Sequence, residues 1–459
     1  MALHSHAFTQ AFWRIAATAV AAALALQSAA AQSILRDAET EALFRDLSAP
    51  LIQAAGLDPA NVDIVLINDS SINAFVAGGQ VVYLNSGLIT SADSVNQVQG
   101  VIAHELGHIA GGHSIAIGEG AKAATSISLL SMLLGVAAAV AGAGEAAMGV
   151  MAAGQQAALG KFLAFSRTQE SATDAAGAEY LSKAGISGEG SLQFYRKIQN
   201  EAFRAGYTFK DENVFYSTHP FPGDRISRLT EIYTADPAWK RPTDPKLEKR
   251  FRLARAKLFG YLAEPRETLK TYPESDTSEP ARYARAYAFH KDALMDKAAV
   301  ETDALLATEP ANPYFLEIKG QILLESGKPH EALAPLRRAA QLTGNQPLIA
   351  TTFGHALLAT EDKANFAEAE QVLKAAVARD RDNPFAWYQL GVVYEARGDT
   401  PRARLASAEQ QVLGRQMRLA LMSAQAAEAA LPKGSPDWLR AQDIAFQARA
   451  AVEKERKRR

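Results

Sequence analysis

Three glycines, Gly320, Gly354 and Gly391, recur at intervals of 34 and then 37 residues, and each brings companions at repeating offsets. One copy runs Leu316, Gly320, Leu323, Gly327, Ala332, Leu336, Ala339, and the clearest runs Trp387, Leu390, Gly391, Tyr394, Gly398, Ala403. The copy between them carries Gly354, Leu357, Ala369, Leu373 and Ala376, the last three displaced by a three-residue insertion. A weaker unit with Ala286, Phe289, Ala298 and Pro310 precedes them. A period of this size means small units that cannot bury their apolar faces alone and therefore stack on one another. The chain has 459 residues, enough for two or three domains. The run D-P-A-W-K-R-P-T-D-P from Asp236 to Pro245, with three prolines against helical pattern, marks the boundary ahead of the stack.

The period and residue set resemble the tetratricopeptide repeat, a helix–turn–helix unit in which small residues let paired helices approach and large ones fill between them. The resemblance extends over Pro280 to Gln410, and helical segments at Leu247 to Leu262 and Arg415 to Arg449 flank it as caps or extensions. The competing expectation is an irregular Ala-rich bundle.

Composition narrows the chemistry. Lys plus Arg number 48 against 50 Asp plus Glu, a net charge of −2, so no global field favours nucleic acid. Cysteine is absent, which excludes disulfides, Cys-ligated metal and a thiol nucleophile. Any metal must be held by His and carboxylates. At the N-terminus, Arg14 precedes the uncharged run Ile15 to Leu26, and Ala29 and Ala31 form an A-x-A site, so residues 1–31 read as a signal peptide cleaved after Ala31. An uncleaved anchor or an Ala-rich core helix is the alternative. Residues Ala123 to Gly144 carry no charge over 22 positions, seven of them Ala and eight Leu, Ile, Val or Met. That is long enough to cross a membrane but weakly apolar. An amphipathic or hairpin element touching protein or a membrane surface, a buried helix pair, and a true span all remain open, with membrane-surface contact expected within 123–160.

Ahead of the proline-rich boundary, Leu43, Leu47 and Leu51 recur at helical spacing between Glu39 and Ala55. Val62 to Ile67 and Val81 to Leu84 read as strands of a small sheet, with a third strand around Ala74 to Val76. Val95 to Ala110 reads as one helix, and it contains His104-Glu105-Leu106-Gly107-His108. At 3.6 residues per turn the two histidines share a face and both imidazoles can reach one metal, with Glu105 placed as base for the adjacent water. Apolar flanks, Val101 to Ala103 and Ile109 to Ala110, suit a buried active-site helix better than a solvated surface. Catalytic zinc takes three protein ligands and leaves a fourth position open. His113 misses the metzincin spacing by one residue and is set aside as a ligand. Further on, S-R-T-Q-E-S-A-T-D from Ser166 is expected to open a helix with Glu170 and Asp174 on one face, one carboxylate for the metal and one to orient an imidazole, or else a solvated acidic face.

H-E-L-G-H, S-R-x-x-E-x-x-x-D and Thr218-His219-Pro220 with Arg225 six residues after the histidine together resemble the HtpX-like metallopeptidases of the CAAX-prenyl-protease type, as do Asn73-Ala74-Phe75 and Leu84 to Leu88. The resemblance implies a mainly α protein: a zincin-type α+β metalloprotease domain with a small sheet over 32–235, a linker over 236–246, and an all-α tetratricopeptide-repeat solenoid over 247–459. It implies one Zn2+ per chain held by His104, His108 and Glu170, with Glu105 as the catalytic base. It implies that Asp174 and Arg225 support the site, and that Asn73, Ala74 and Phe75 lie along the substrate as an edge strand. His219 would be either an inhibitory fourth ligand or an oxyanion stabiliser. With an export signal and repeats, the resemblance further implies a periplasmic endopeptidase acting on misfolded or stalled outer-membrane proteins. The repeats would dock these proteins and the outer-membrane assembly machinery. The alternative is an assembly chaperone with a latent site.

Overall fold

The computed structural model describes residues 34–113, 127–128, 130–132, 134, 144–204, 219 and 225–458. The signal-peptide reading and most of the charge-free run at 123–144 fall outside them. Among the described residues no helix is long and apolar enough to cross a membrane. The chain divides into two compact units, the first containing residues 44–248 and the second residues 36–43 with 249–459.

The first unit is built on a four-stranded sheet in the order β1-β2-β4-β3, from β1 (Ile34–Leu35), β2 (Asp63–Ile67), β3 (Ala74–Ala77) and β4 (Val81–Asn85). Helix α1 (Ala38–Ala54) contributes its first turns to the second unit and the rest, with Leu47 and Leu51 fully buried, to the first. β2 and β4 run parallel, while β3 pairs antiparallel with β4, Phe75 facing Tyr83. β3 therefore lies at the edge of the sheet, with β4 as its one strand neighbour among the described residues. After β4, α2 (Ser86–Ser91) leads to α3 (Val95–Ala110), capped by the Ser94 hydroxyl and buried along almost its whole length.

Helix α4 (Gly144–Lys183) crosses α3, and here the sequence expectation needs correcting. Ser166 does not open a helix; it lies inside one of 40 residues. Ser166-x-x-Gln169 imitates an N-terminal capping box, but no proline interrupts 144–183, and the Ala-rich helix continues through it. The crossing is close because two glycines permit it. A Cβ on Gly107 would sit 2.9 Å from Thr173, and one on Gly177 would sit 3.2 Å from the Ala103 backbone. α5 (Glu189–Arg204) and α6 (Arg225–Thr234) complete the unit. Asn96 ties α3 to the start of α5, donating to Ser187 O and accepting from the Gly190 amide.

The second unit is all helix: α7 (Pro245–Leu262), α8 (Pro265–Thr271), then the pairs α9 (Glu279–Lys291) and α10 (Met295–Thr308), α11 (Pro313–Glu325) and α12 (Pro329–Leu342), α13 (Pro347–Ala359) and α14 (Phe366–Arg379), α15 (Pro384–Ala396) and α16 (Thr400–Leu413), α17 (Met417–Ala430) and α18 (Pro436–Arg458). The repeat has a physical signature. The first helices of three pairs open on a capping side chain followed by proline: Asn312-Pro313, Gln346-Pro347 and Asn383-Pro384. Inside the pairs, a Cβ on Gly320 would strike Leu336 and one on Gly354 would strike Leu373, at 2.4 and 2.6 Å, so the periodic glycine is where the second helix lays a leucine on the first. Gly391 faces Ala403 and Ala406 instead, at 3.6 Å. The three-residue insertion is a single 3-10 turn, Lys363–Asn365. The expected segment Arg415 to Arg449 is broken at Leu431 to Ser435, where Pro432 removes a donor and Gly434 turns at φ 79°.

Residues 36–43 bring Asp37 and Glu39 to the Lys257 ammonium, which also lies over the rings of Tyr283, Tyr287 and Tyr314. Glu317 shares this interior, and its Oε2 is buried without a hydrogen-bond partner among the described residues. Burial pushes the Glu317 carboxyl up from 4.5 to about 7, against the pull of Lys257 and with help from Asp37 and Glu39. The folded state thus holds a proton that the unfolded chain releases near pH 4.5, and the stability it carries is lost as pH rises toward 7. Glu317→Gln is expected to leave the melting temperature unchanged at about pH 4 and to stabilise the unit by about 1–2 kcal/mol at about pH 8. Thermal melts across that range check it, and equal effects at both ends would contradict it.

Candidate active site

His104 and His108 leave the same face of α3, and Glu170 approaches from α4, four residues before Asp174. His219 joins them from outside the helices. Five of the six pairs bring facing atoms to between 3.1 and 3.3 Å. His104 Nε2 lies 3.3 Å from His108 Nε2, 3.2 Å from His219 Nδ1 and 3.3 Å from Glu170 Oε2. Glu170 Oε1 lies 3.2 Å from His108 Nε2 and 3.1 Å from His219 Nδ1. Zinc bonds of about 2.0–2.1 Å in a tetrahedron put ligand atoms about 3.3–3.4 Å apart, so the donor set fits such an ion in size and chemistry. One ligand atom from each of the four residues lies within 4.8 Å of all the others.

The surroundings set the imidazole tautomers. His104 Nδ1 faces Asp174 Oδ1 at 3.1 Å, leaving Nε2 toward the cluster. Burial works to lower the His104 pKa, but hydrogen bonds to Asp174 and Glu170 outweigh it and hold the ring at about 9 in the metal-free chain. Burial opposes ionisation of Asp174 and Glu170 as well, and the imidazoles around them, with Arg225 beside Asp174, hold both well below the usual carboxylate range. Arg225, 1% exposed, donates from Nε and Nη2 to the two oxygens of Asp174, each at 2.6 Å, and stacks 5.2 Å over the Tyr195 ring.

Glu105 is the outlier. It is fully buried, and neither carboxylate oxygen has a hydrogen-bond partner among the described residues. Its nearest ionic neighbour is His219 Nε2 at 3.5 Å. A buried carboxylate without protein donors is expensive unless its partner is something other than protein, and a water held on a metal is such a partner.

Residues 35–233 match the model of Peptidase family M48. The chain carries an M48 peptidase domain. It is a zinc metallopeptidase, and His104, His108, Glu170 and His219 are the group that can hold its metal. Across a longer stretch that takes in both the M48 domain and repeats, the chain is 25% identical over 380 residues to the beta-barrel assembly-enhancing protease of Escherichia coli (strain K12), covering 81% of this chain and 75% of that protein. The metalloprotease YcaL of the same organism is 32% identical over 176 residues, 38% of this chain and 62% of its own. Among solved structures, YrrB, a TPR protein, matches 38% of this chain and 91% of its own at 22% identity, with a TM-score of 0.32.

Ala74 and Phe75 lie on the edge strand of the M48 domain, and Asn73 immediately before it, where its carbonyl accepts from the Asn85 amide. His219 Nε2 is 3.4 Å from Ala74 O while its Nδ1 faces His104 and Glu170, so this imidazole sits between those two residues and the edge strand. Thr218 and Pro220 lie outside the described residues. His113 lies outside the four-residue cluster but stands directly behind it. Gly112 at φ 63° turns the chain back so that His113 Nδ1 lies 3.0 Å from His108 Nδ1 and 3.0 Å from Thr173 Oγ1. The two glycines after the second histidine signal that turn. Spacing arguments, which test only for a metal ligand, pass over a residue that instead contacts the far side of the His108 ring.

Proposed function

We propose that the protein is an exported, periplasmic zinc endopeptidase that cleaves misfolded or stalled outer-membrane proteins, with its repeats docking those proteins or the machinery that assembles them. In this reading residues 1–31 are removed on export, 32–235 are the protease, 236–246 a linker and 247–459 the docking domain. The observation that carries it is the buried Glu105 carboxylate, without a hydrogen-bond partner among the described residues, beside the donor set of His104, His108, Glu170 and His219. The similarity to the beta-barrel assembly-enhancing protease across 81% of the chain supports the substrate class.

Zinc, when bound by His104, His108 and Glu170, supplies a Lewis acid that makes water a nucleophile near neutral pH. Glu105 takes the proton as the water oxygen bonds to the peptide carbonyl carbon, and delivers it to the amide nitrogen as the C–N bond breaks. Asp174 keeps His104 in the ligating tautomer, and Arg225 fixes Asp174. An extended peptide adds alongside β3, Asn73 to Phe75 supplying backbone hydrogen bonds.

His219 is a latch in this scheme. A fourth protein ligand closes the position a catalytic zinc keeps open. The contact with Ala74 O also places the ring across the strand a substrate would pair with. His219→Ala is expected to raise turnover of an unfolded substrate at least tenfold with zinc content unchanged. Weaker turnover, on the order of a hundredfold, would assign the ring to the oxyanion instead.

The test of the whole reading is incubation of the zinc-loaded chain, wild type and His219→Ala, with an unfolded outer-membrane β-barrel protein. Chelator-sensitive fragments are expected. No fragments from either form, together with suppressed aggregation of the substrate, would replace the protease by the chaperone reading.

A further inference from the structure

Taking the docking role of the repeats as its premise, we propose that a cavity on the last repeats receives an acidic segment of a partner protein, an apolar side chain entering the cavity and carboxylates meeting its rim. The cavity measures about 320 Å³, at the small end of ligand sites, room for one large side chain and its flanking backbone. Its wall is apolar: Val377 from α14, Trp387 and Leu390 from α15, Leu405 from α16. The indole is fixed in place because Trp387 Nε1 donates to Arg381 O at 2.8 Å, which also anchors the turn after α14.

The rim is cationic. Lys374, Arg381, Arg402 and Arg440 come from three helices and that turn, all four exposed, against Asp437 as the one acid in the lining. Three of the cations already have partners. Arg402 reaches Asp437 at 2.7 Å and Asp399 at 3.0 Å, Arg440 reaches Glu409 at 2.6 Å, and Lys374 reaches Glu370 at only 3.8 Å. Arg440 is committed, gripping the buried Glu409 with both Nε and Nη2, whereas the more exposed pairs of Arg402 and Lys374 each contribute about 0–1 kcal/mol, so an incoming carboxylate can exchange for one of those at small cost. Arg381 has no ion pair among the described residues and faces solvent beside the indole, its planar fork free for a bidentate carboxylate. Charge complementarity therefore selects an acidic chain over a basic one, and the apolar wall selects a peptide over a bare anion.

The test uses the full chain and a decapeptide of aspartates alternating with leucine and phenylalanine, capped at both ends, with a control in which every aspartate is asparagine. In calorimetry the acidic peptide is expected to bind at least tenfold more tightly than the control. Arg381→Glu combined with Lys374→Glu, both at exposed positions, is expected to remove that preference while melting temperature and cleavage of casein stay unchanged. Equal affinity for both peptides, no measurable binding of the acidic one, or its displacement by an equal concentration of inorganic phosphate would each overturn the assignment. Because binding is read directly, failure here is separate from failure to cleave an outer-membrane substrate.

Discussion

Glu105→Gln retains zinc and loses peptide hydrolysis, by about 10²–10⁴-fold or to background, because the amide is the same size as the carboxylate but cannot take the proton from the attacking water. The proposed ligands His104, His108 and Glu170 are untouched, so metal analysis should return the wild-type content. A second consequence follows from burial. The carboxylate sits fully buried without a hydrogen-bond partner among the described residues, and replacing it with a neutral group relieves that cost. The zinc-free variant should therefore melt higher than zinc-free wild type, even as activity disappears. Undiminished digestion of casein by the variant would remove Glu105 from the mechanism.

Arg225→Ala is the most damaging stability change expected in the M48 domain. The guanidinium is 1% exposed and holds both Asp174 oxygens, and it approaches Glu170 at 3.1 Å. Truncating it leaves buried carboxylates uncompensated, a loss of about 3–5 kcal/mol. Asp174 would also cease to fix the His104 ring, so zinc affinity should fall about 10–100-fold. Denaturant melts of the zinc-free protein and a competitive chelator titration measure the two effects separately. Arg225→Lys, which keeps the charge but not the fork, should fall between wild type and Arg225→Ala in both. A variant that melts with wild type would show that Asp174 is held by something else.

Much of this was readable from residue order. The helix that carries His104 and His108 is where periodicity puts it, residues 95–110, because its apolar face and its serine cap agree. The repeats were legible because the same glycine meets the same leucine in successive pairs. What escaped reading depends on packing across distance. A cap-like serine inside α4 is indistinguishable locally from a real start. The role of His113 appears only once Gly112 folds the chain back toward His108 and Thr173. The pattern over Glu39 to Ala55 declares a helix but not that its first turns belong to a different core from its last, since that depends on Lys257, far away in the chain. The cavity beside Trp387 draws on four helices and has no linear signature at all.

The division of α1 between two cores has a consequence for synthesis. Asp37 and its partner Lys257 are 220 residues apart, and the repeat unit contains both. At about 5–20 residues per second, the segment leaves the ribosome roughly 10–40 s before the lysine that will neutralise it exists. During that interval the M48 residues emerge and can fold around the later turns of α1, while the earlier turns wait, their acids solvated. The repeat unit, which keeps an early segment among late helices, is thus the last to close, and its closure reports that translation has passed the whole of the peptidase.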